Sequence, residues 1–241
     1  MEHHSAQHLR ITIDGSTSVS ALLRVPDQAW VGYVFGHGAG AGMDHPFMAN
    51  FANGLAERGI ATLRYQFPFM EQGSKRPDAP KVAHAAVRAA VAEAKQRLPG
   101  LPLLVGGKSF GGRMTSQAQA LSPLPGVQGL VFVGFPLHPV GKPSDERAKH
   151  LVEVNRPMLF LQGTRDELAA LELLQPLVQR LGARASLALF DDADHSFHVR
   201  ARSGRTDAQT LDAMLDTMAG WARAAAGDDT LFGEGVKTPK V

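Results

Sequence analysis

The period of the hydrophobic positions changes along the chain, and the changes mark out its elements. Residues 9–13 and 19–25 alternate apolar with polar and flank Asp14-Gly15-Ser16, which predicts an opening hairpin. Residues 30–35 are a short apolar run ending in glycines, so a buried strand. Helical spacing follows over 46–58 and stops at Gly59, a C-cap signal. The next strand is 60–65, and 66–80 is a polar, proline-bearing loop. A strong helix covers 81–98 and ends at Pro99-Gly100. Beyond it the pattern predicts strand 103–107, helix 110–121, strand 127–133, strand 157–162, helix 168–181 closed by Gly182, strand 185–190 and helix 206–226. A hairpin followed by alternating strands and helices predicts an α/β fold, a mostly parallel sheet with helices on both faces. No repeat, linker or shift in composition divides the chain. It therefore reads as a single domain, 1–241, with 1–8 and 227–241 as flexible tails.

Composition narrows the classes. At 44% hydrophobic and 20% charged the chain is a globular protein and not a disordered one. Lys+Arg 25 against Asp+Glu 23 gives a net charge of +2, so nothing argues for a nucleic-acid partner. Cysteine is absent, which excludes disulfides, thiolate zinc sites and a cysteine nucleophile, and favours the cytosol. The N-terminus has no apolar leader, and the alanine-rich stretch 82–98 is broken by Arg88, Glu93, Lys95 and Arg97. No membrane segment is expected, and the location is read as cytoplasmic. His3, His4 and His8 read as part of a solvated tail, with no metal assigned to them.

In open parallel sheets chemistry gathers beyond the carboxyl ends of the strands. Gly107-Lys108-Ser109-Phe110-Gly111 is a G-x-S-x-G pentapeptide between a predicted strand and a predicted helix. Chance alone supplies roughly 0.1 such matches in a chain of this composition. The strand–turn–helix setting is what the motif requires, since a sharp turn between small neighbours offers the serine hydroxyl at a helix N-terminus. The plainer alternative is a structural turn with an N-capping serine. A serine needs a base oriented by a third group. Asp166 follows strand 157–162 and His195 follows strand 185–190, so Ser109, Asp166 and His195 come in the order Ser, acid, His. Whole strand–helix units separate them, which returns all three to one sheet edge. Asp166 also reads as a helix N-cap and His195 as a surface-loop histidine. Asp191, Asp192 and Asp194 compete as the acid, but they lie too near His195 in sequence to approach it from a separate loop. Only a neutral imidazole accepts the serine proton, so activity is expected to rise with pH as His195 deprotonates.

A tetrahedral oxyanion needs donors. Gly36-His37-Gly38-Ala39-Gly40-Ala41-Gly42 follows strand 30–35 and can turn backbone N–H groups inward. Ala39 is the first expected donor, with Gly40 close behind, and Phe110, next after the nucleophile, is the second. His37 reads as a brace for this loop and, with Gly40, as a residue beside the substrate. The loop also matches G-x-G-x-x-A, a dinucleotide pattern, but the following strand ends Arg64-Tyr65-Gln66 where an acid is expected. Arg64 keeps a 2′-phosphate reading open. No phosphate loop is present, because no glycine stands five residues before Gly107, where its first glycine belongs.

At these residues the chain resembles the α/β-hydrolase superfamily, and within it small bacterial members related to dienelactone hydrolase and to the family of the NSL-complex regulatory subunit three. The matching stretches are Phe35-Gly36-His37-Gly38-Ala39-Gly40 with Met43-Asp44-His45-Pro46, the elbow at 106–113, Gln162-Gly163-Thr164-Arg165-Asp166, and Asp194-His195-Ser196-Phe197. The resemblance, over about residues 10–225, implies an eight-stranded sheet and cofactor-free hydrolysis through Ser109, Asp166 and His195. Dienelactone hydrolase itself uses a cysteine, which this chain lacks. Large-substrate relatives insert a cap between the sixth and seventh strands. Here only residues 134–156 lie there, so a minimal cap and an open cleft are expected. Phe135, Leu137 and Phe197 read either as an apolar wall beside the serine or as core, and Phe67-Pro68-Phe69-Met70 likewise as wall, partner surface or core. The leading expectation is a serine esterase acting on a small acyl substrate. The competing one is a binding or scaffold protein of the same fold. The sequence decides neither the substrate nor the oligomeric state.

Overall fold

The runs VGYVFG, IATLRY and MLFLQG are buried at every position. A strand without a polar face needs cover on both sides, and here it has it. The structure, a computed structural model, describes residues 6–227. The strands β1 (Gln7–Thr12), β2 (Ser18–Arg24), β3 (Val31–Gly36), β4 (Ile60–Tyr65), β5 (Leu103–Lys108), β6 (Val127–Val133), β7 (Met158–Gly163) and β8 (Ala185–Phe190) form one sheet in the order β1-β2-β4-β3-β5-β6-β7-β8. β2 pairs antiparallel with β1 and β4, and every other pairing is parallel. The sheet is open, so β3, β5, β6, β7 and β8 deliver their carboxyl ends to one edge.

Alternate residues of each strand serve two separate cores. Tyr33, Phe35, Leu104, Val131 and Leu159 face the helices α1 (Pro46–Glu57) and α6 (Asp207–Ala225), meeting Phe51, Leu55, Met214 and Met218. Val34, Val105, Phe132 and Phe160 face the other way, onto α3 (Pro80–Arg97), α4 (Phe110–Leu121) and α5 (Leu171–Leu181). Helix α3 meets the sheet through Ala83, Ala86, Val87, Ala90, Val91 and Ala94, a stripe at helical period whose small side chains let the backbone approach closely. Helix α6 starts at a capping box in which Thr206 accepts from the Gln209 N–H and the Gln209 side chain accepts from the Thr206 N–H.

The differences from the sequence reading are local. The expected tails fall on residues 1–5 and 228–241, which lie outside the described residues, and in part on Gln7 and His8. Those two are strand residues, opposite Leu23 and Leu22, because strand pairing holds a polar stretch that has no apolar signal of its own. His3 and His4 lie outside the described residues. The helix expected from 168 begins at Leu171, because side chains hold the preceding turn: Asp166 accepts from the Leu168 N–H and His138 from the Ala170 N–H. The loop 66–80 contains a short helix, α2 (Pro68–Glu71), and Phe67 and Phe69 are buried in the core. The segment between β6 and β7 carries a 3-10 stretch, Glu146–Glu153, pinned to the core by Ala148 and Leu151. No separate cap is built there.

Candidate active site

The turn after β5 is possible because two backbones touch. A Cβ on Gly107 would sit 2.4 Å from the Gly36 carbonyl oxygen, and one on Gly111 2.3 Å from it. With both positions bare, β5 runs into α4 through a single residue, Ser109, held at φ 51° and ψ −112°. Such a conformation costs a non-glycine residue about 1–3 kcal/mol, which the surrounding packing sustains. It aims the hydroxyl out of the sheet edge at the N-terminus of α4.

Across the edge, Ser109 Oγ lies 2.9 Å from His195 Nε2, and His195 Nδ1 lies 2.7 Å from Asp166 Oδ2. The structure thus brings the three together, from the ends of β5, β7 and β8. Asp166 is fully buried at its side chain, while the imidazole keeps about a quarter of its surface in the cleft. The carboxylate is held in place on both oxygens. Oδ1 accepts from the Leu168 N–H at 2.8 Å, and Oδ2 also accepts from the Gln162 side-chain amide. Gln162 in turn accepts from the Phe135 N–H. Two of the competing acids are engaged elsewhere: Asp192 pairs with Arg200, and Asp194 accepts from the Ser196 and His198 N–H groups.

Two residues near the imidazole carried no sequence signal of their own. Lys108, the variable residue of the pentapeptide, donates from Nζ to the His195 carbonyl at 2.6 Å and lies 5.6 Å from the centre of the Phe197 ring. Burial pulls its pKa down to about 8 against the opposing pull of Asp166 and Asp194. Gly134, after β6 at φ 69°, is bare because a Cβ there would come within 3.0 Å of Lys108 Nζ and 3.5 Å of the His195 ring. Gln162 was visible in sequence only as part of the strand before Asp166. Its amide is the partner that a buried carboxylate demands.

The glycine-rich loop after β3 forms the facing wall. Ala39 and Gly40 line the cleft, and among the described residues no acceptor takes the Ala39 or Phe110 N–H. His37 is different from the expectation of a substrate contact. It is fully buried, Nε2 accepts from the Phe67 N–H at 2.9 Å, and Nδ1 donates to the Gly38 carbonyl at 2.7 Å. Burial lowers its pKa to about 4, so the ring is a neutral brace between two loops. Phe135 is also not a cleft residue. It is fully buried against Phe132 and Phe160, because the chain turns back into the core immediately after β6. Leu137 is core as well. Phe197 is 4% exposed and stacks behind Phe47 and under Lys108, so it supports the wall rather than forming it. The wall itself includes His45, Phe47 and Met48 from the start of α1, around a cavity of about 410 Å³. Arg64 is buried and donates to the Met43 carbonyl, so it is not offered to a 2′-phosphate.

An open, mostly parallel eight-stranded sheet with a serine on a strained elbow and a carboxylate and imidazole on the following strand ends defines the α/β-hydrolase class. The chain belongs to it: the family model described as "Alpha/beta hydrolase domain" matches residues 30–223. Among solved structures it is similar to the dienelactone hydrolase of Anabaena variabilis, with a TM-score of 0.72 and 21% identity over 92% of this chain and 99% of that one. It is similar also to an α/β serine hydrolase homologue from Coxiella burnetii, with a TM-score of 0.71 and 18% identity over 89% and 96% of the two chains. A lidless α/β serine hydrolase from Xanthomonas campestris matches with a TM-score of 0.69 and 19% identity over 90% and 95%. Among the described residues no helix is long and apolar enough to cross a membrane.

Proposed function

We propose that the chain is a serine hydrolase that cleaves a carboxylic ester, or a related acyl bond, of a small substrate. One observation carries the reading: the continuous hydrogen-bonded chain from Ser109 Oγ through His195 to Asp166. With Asp166 accepting at Nδ1, the imidazole carries its proton there and presents a lone pair from Nε2 to the serine. Ser109 attacks the substrate carbonyl as its proton passes to Nε2. Asp166, held by Gln162 and the Leu168 N–H, stabilises the imidazolium that forms. The oxyanion falls between the Ala39 and Phe110 N–H groups, each such donor being worth about 2.7–4 kcal/mol of barrier. His195 then protonates the leaving alcohol, and water, deprotonated by the same imidazole, releases the acid from the acyl-serine. Lys108 fixes the backbone of the histidine loop from beneath. Esterases and serine hydrolases among the structural neighbours are in keeping with this reading. A finer kinship, to the NSL-complex subunit family, rests on the Gly-His-Gly-Ala-Gly loop of the sequence.

A fluorophosphonate probe tests the assignment. The wild type is expected to label with one adduct at Ser109, and Ser109→Ala to show neither adduct nor turnover of nitrophenyl acetate, a fall of about 10⁴-fold or more. A wild type that binds small esters without labelling would instead make the chain a binding protein on a hydrolase fold.

A further inference from the structure

The cleft has a second arm that the chemistry above leaves unused. A groove of about 320 Å³ shares Ala39, Ser109 and Leu168 with the apolar cavity, so the two arms meet at the nucleophile. The apolar arm runs to Phe47 and Met48. The other runs between Arg113 of α4 and Arg147 of the 3-10 segment. An ester whose carbonyl lies at Ser109 must place one half in each.

The two arginines are cations without counter-charges. Among the described residues neither guanidinium forms an ion pair or a side-chain hydrogen bond, and Arg113 Nε is buried with no partner. Their neighbours do not supply one. Asp145 and Glu146, beside Arg147 in sequence, are taken by Arg180 and Lys149. Asp78 lines the same groove, but it accepts from the Phe69 N–H, and burial pushes its carboxyl up, with no arginine holding it down. Burial and then the charge of Arg147 disfavour the Arg113 proton, and burial, with Arg113 and His84 adding to it, lowers the pKa of His150 to about 4. Two like charges gathered at one groove repel, and a planar guanidinium left unbonded there is matched to an oxyanion.

We infer that the substrate carries an anionic group, a carboxylate or a phosphate, that Arg113 and Arg147 hold in this groove while its ester carbonyl lies at Ser109. This rests on the serine-hydrolase reading for the bond that is cut, though not for the anion that is bound. The apolar arm takes the uncharged half of the molecule.

The test compares two esters of equal reach, the 4-nitrophenyl monoester of glutarate and 4-nitrophenyl valerate, by their ratio of kcat/KM. At low salt the wild type is expected to favour the charged ester by about tenfold or more, and the preference is expected to shrink with added salt. Arg113→Gln and, separately, Arg147→Gln should each lower the ratio by about tenfold, whatever either does to a single rate. Arg147 lies on a surface segment, so its variant keeps the test alive if the change at Arg113 disturbs α4. A wild-type ratio at or below one, or a ratio that survives both substitutions, overturns the inference. If neither ester turns over and the fluorophosphonate does not label, the hydrolase reading fails by itself. Calorimetry on Ser109→Ala then decides the anion site, with glutarate and glycerol phosphate as ligands. Binding that weakens about tenfold in Arg147→Gln upholds the site, and the tighter ligand names the anion; no binding of either ends it.

Discussion

Single side chains set the protonation state of this site. His37 keeps a neutral ring because burial lowers its pKa to about 4 from an ordinary 6.5, against the opposing pull of the Gly38 and Ala41 backbone, while Nε2 accepts from the Phe67 N–H. Between those values the unfolded chain binds a proton that the folded chain refuses. The stabilisation it contributes is therefore complete above pH 6.5 and is lost as pH falls towards 4, by about 3 kcal/mol. His150, also lowered to about 4, adds to the same slope. Chemical denaturation at pH 7 and pH 4.5 should show the loss, and His37→Gln should be less stable at pH 7 yet flatter across that window. A slope unchanged in the variant would remove His37 from the account. At this scale the sequence spoke clearly where chemistry constrains residue type. Ser109, Asp166 and His195 stood out because a nucleophile, acid and base must each follow a strand. Lys108 and Gln162 did not, because their roles depend on which carbonyl and which carboxylate happen to face them. Phe135 and Phe197 read equally well as wall or core, since a phenyl ring satisfies both.

Among the elements, the elbow is the least tolerant of change. A methyl group at Gly111 would meet the Gly36 carbonyl at 2.3 Å and the His37 oxygen at 2.7 Å, all backbone that cannot swing aside. Gly111→Ala is expected to cost at least about 3 kcal/mol in urea unfolding and to misplace Ser109. Gly220→Ala is the control. It lies in α6 with nothing within 4 Å of its would-be Cβ, and should stabilise by about 0.5–1 kcal/mol through helix propensity alone. At the other end of the same helix, Thr206→Ala removes half of the capping box and should cost about 1 kcal/mol. A Tm that fell as far for Gly220→Ala as for Gly111→Ala would contradict the steric argument. Strands and long helices were legible because burial on two faces, or one, imposes a period. The start of α5 and the short helix α2 were not. Side-chain hydrogen bonds from Asp166 and His138 hold the first, and burial of Phe67 and Phe69 holds the second.

At the scale of the whole molecule, two cores clamp one sheet, and the site lies where its strands end together. The insertion after β6 is pinned to the core by Ala148 and Leu151, so among the described residues it builds no lid over the serine. A cavity of about 410 Å³ is in the range of small-molecule sites. Short-chain nitrophenyl esters should therefore be cleaved roughly tenfold or more faster than long-chain emulsified lipid. The reverse order in a chain-length series would contradict an open, shallow cleft. The sequence by itself determined the α/β class and the order of strands and helices, and it put forward Ser109, His195 and a short set of carboxylates as candidates. These follow from hydrophobic period and from the few residue types able to do the chemistry, both of which are local properties of the chain. Only the tertiary structure decided which carboxylate meets the imidazole, that His37 is a brace, that Phe135 is core, and that Arg113 and Arg147 share a groove with Ser109. Those facts join residues from separate strand–helix units, and it is the folding of the sheet, through its pairing order and twist, that sets the distances between them.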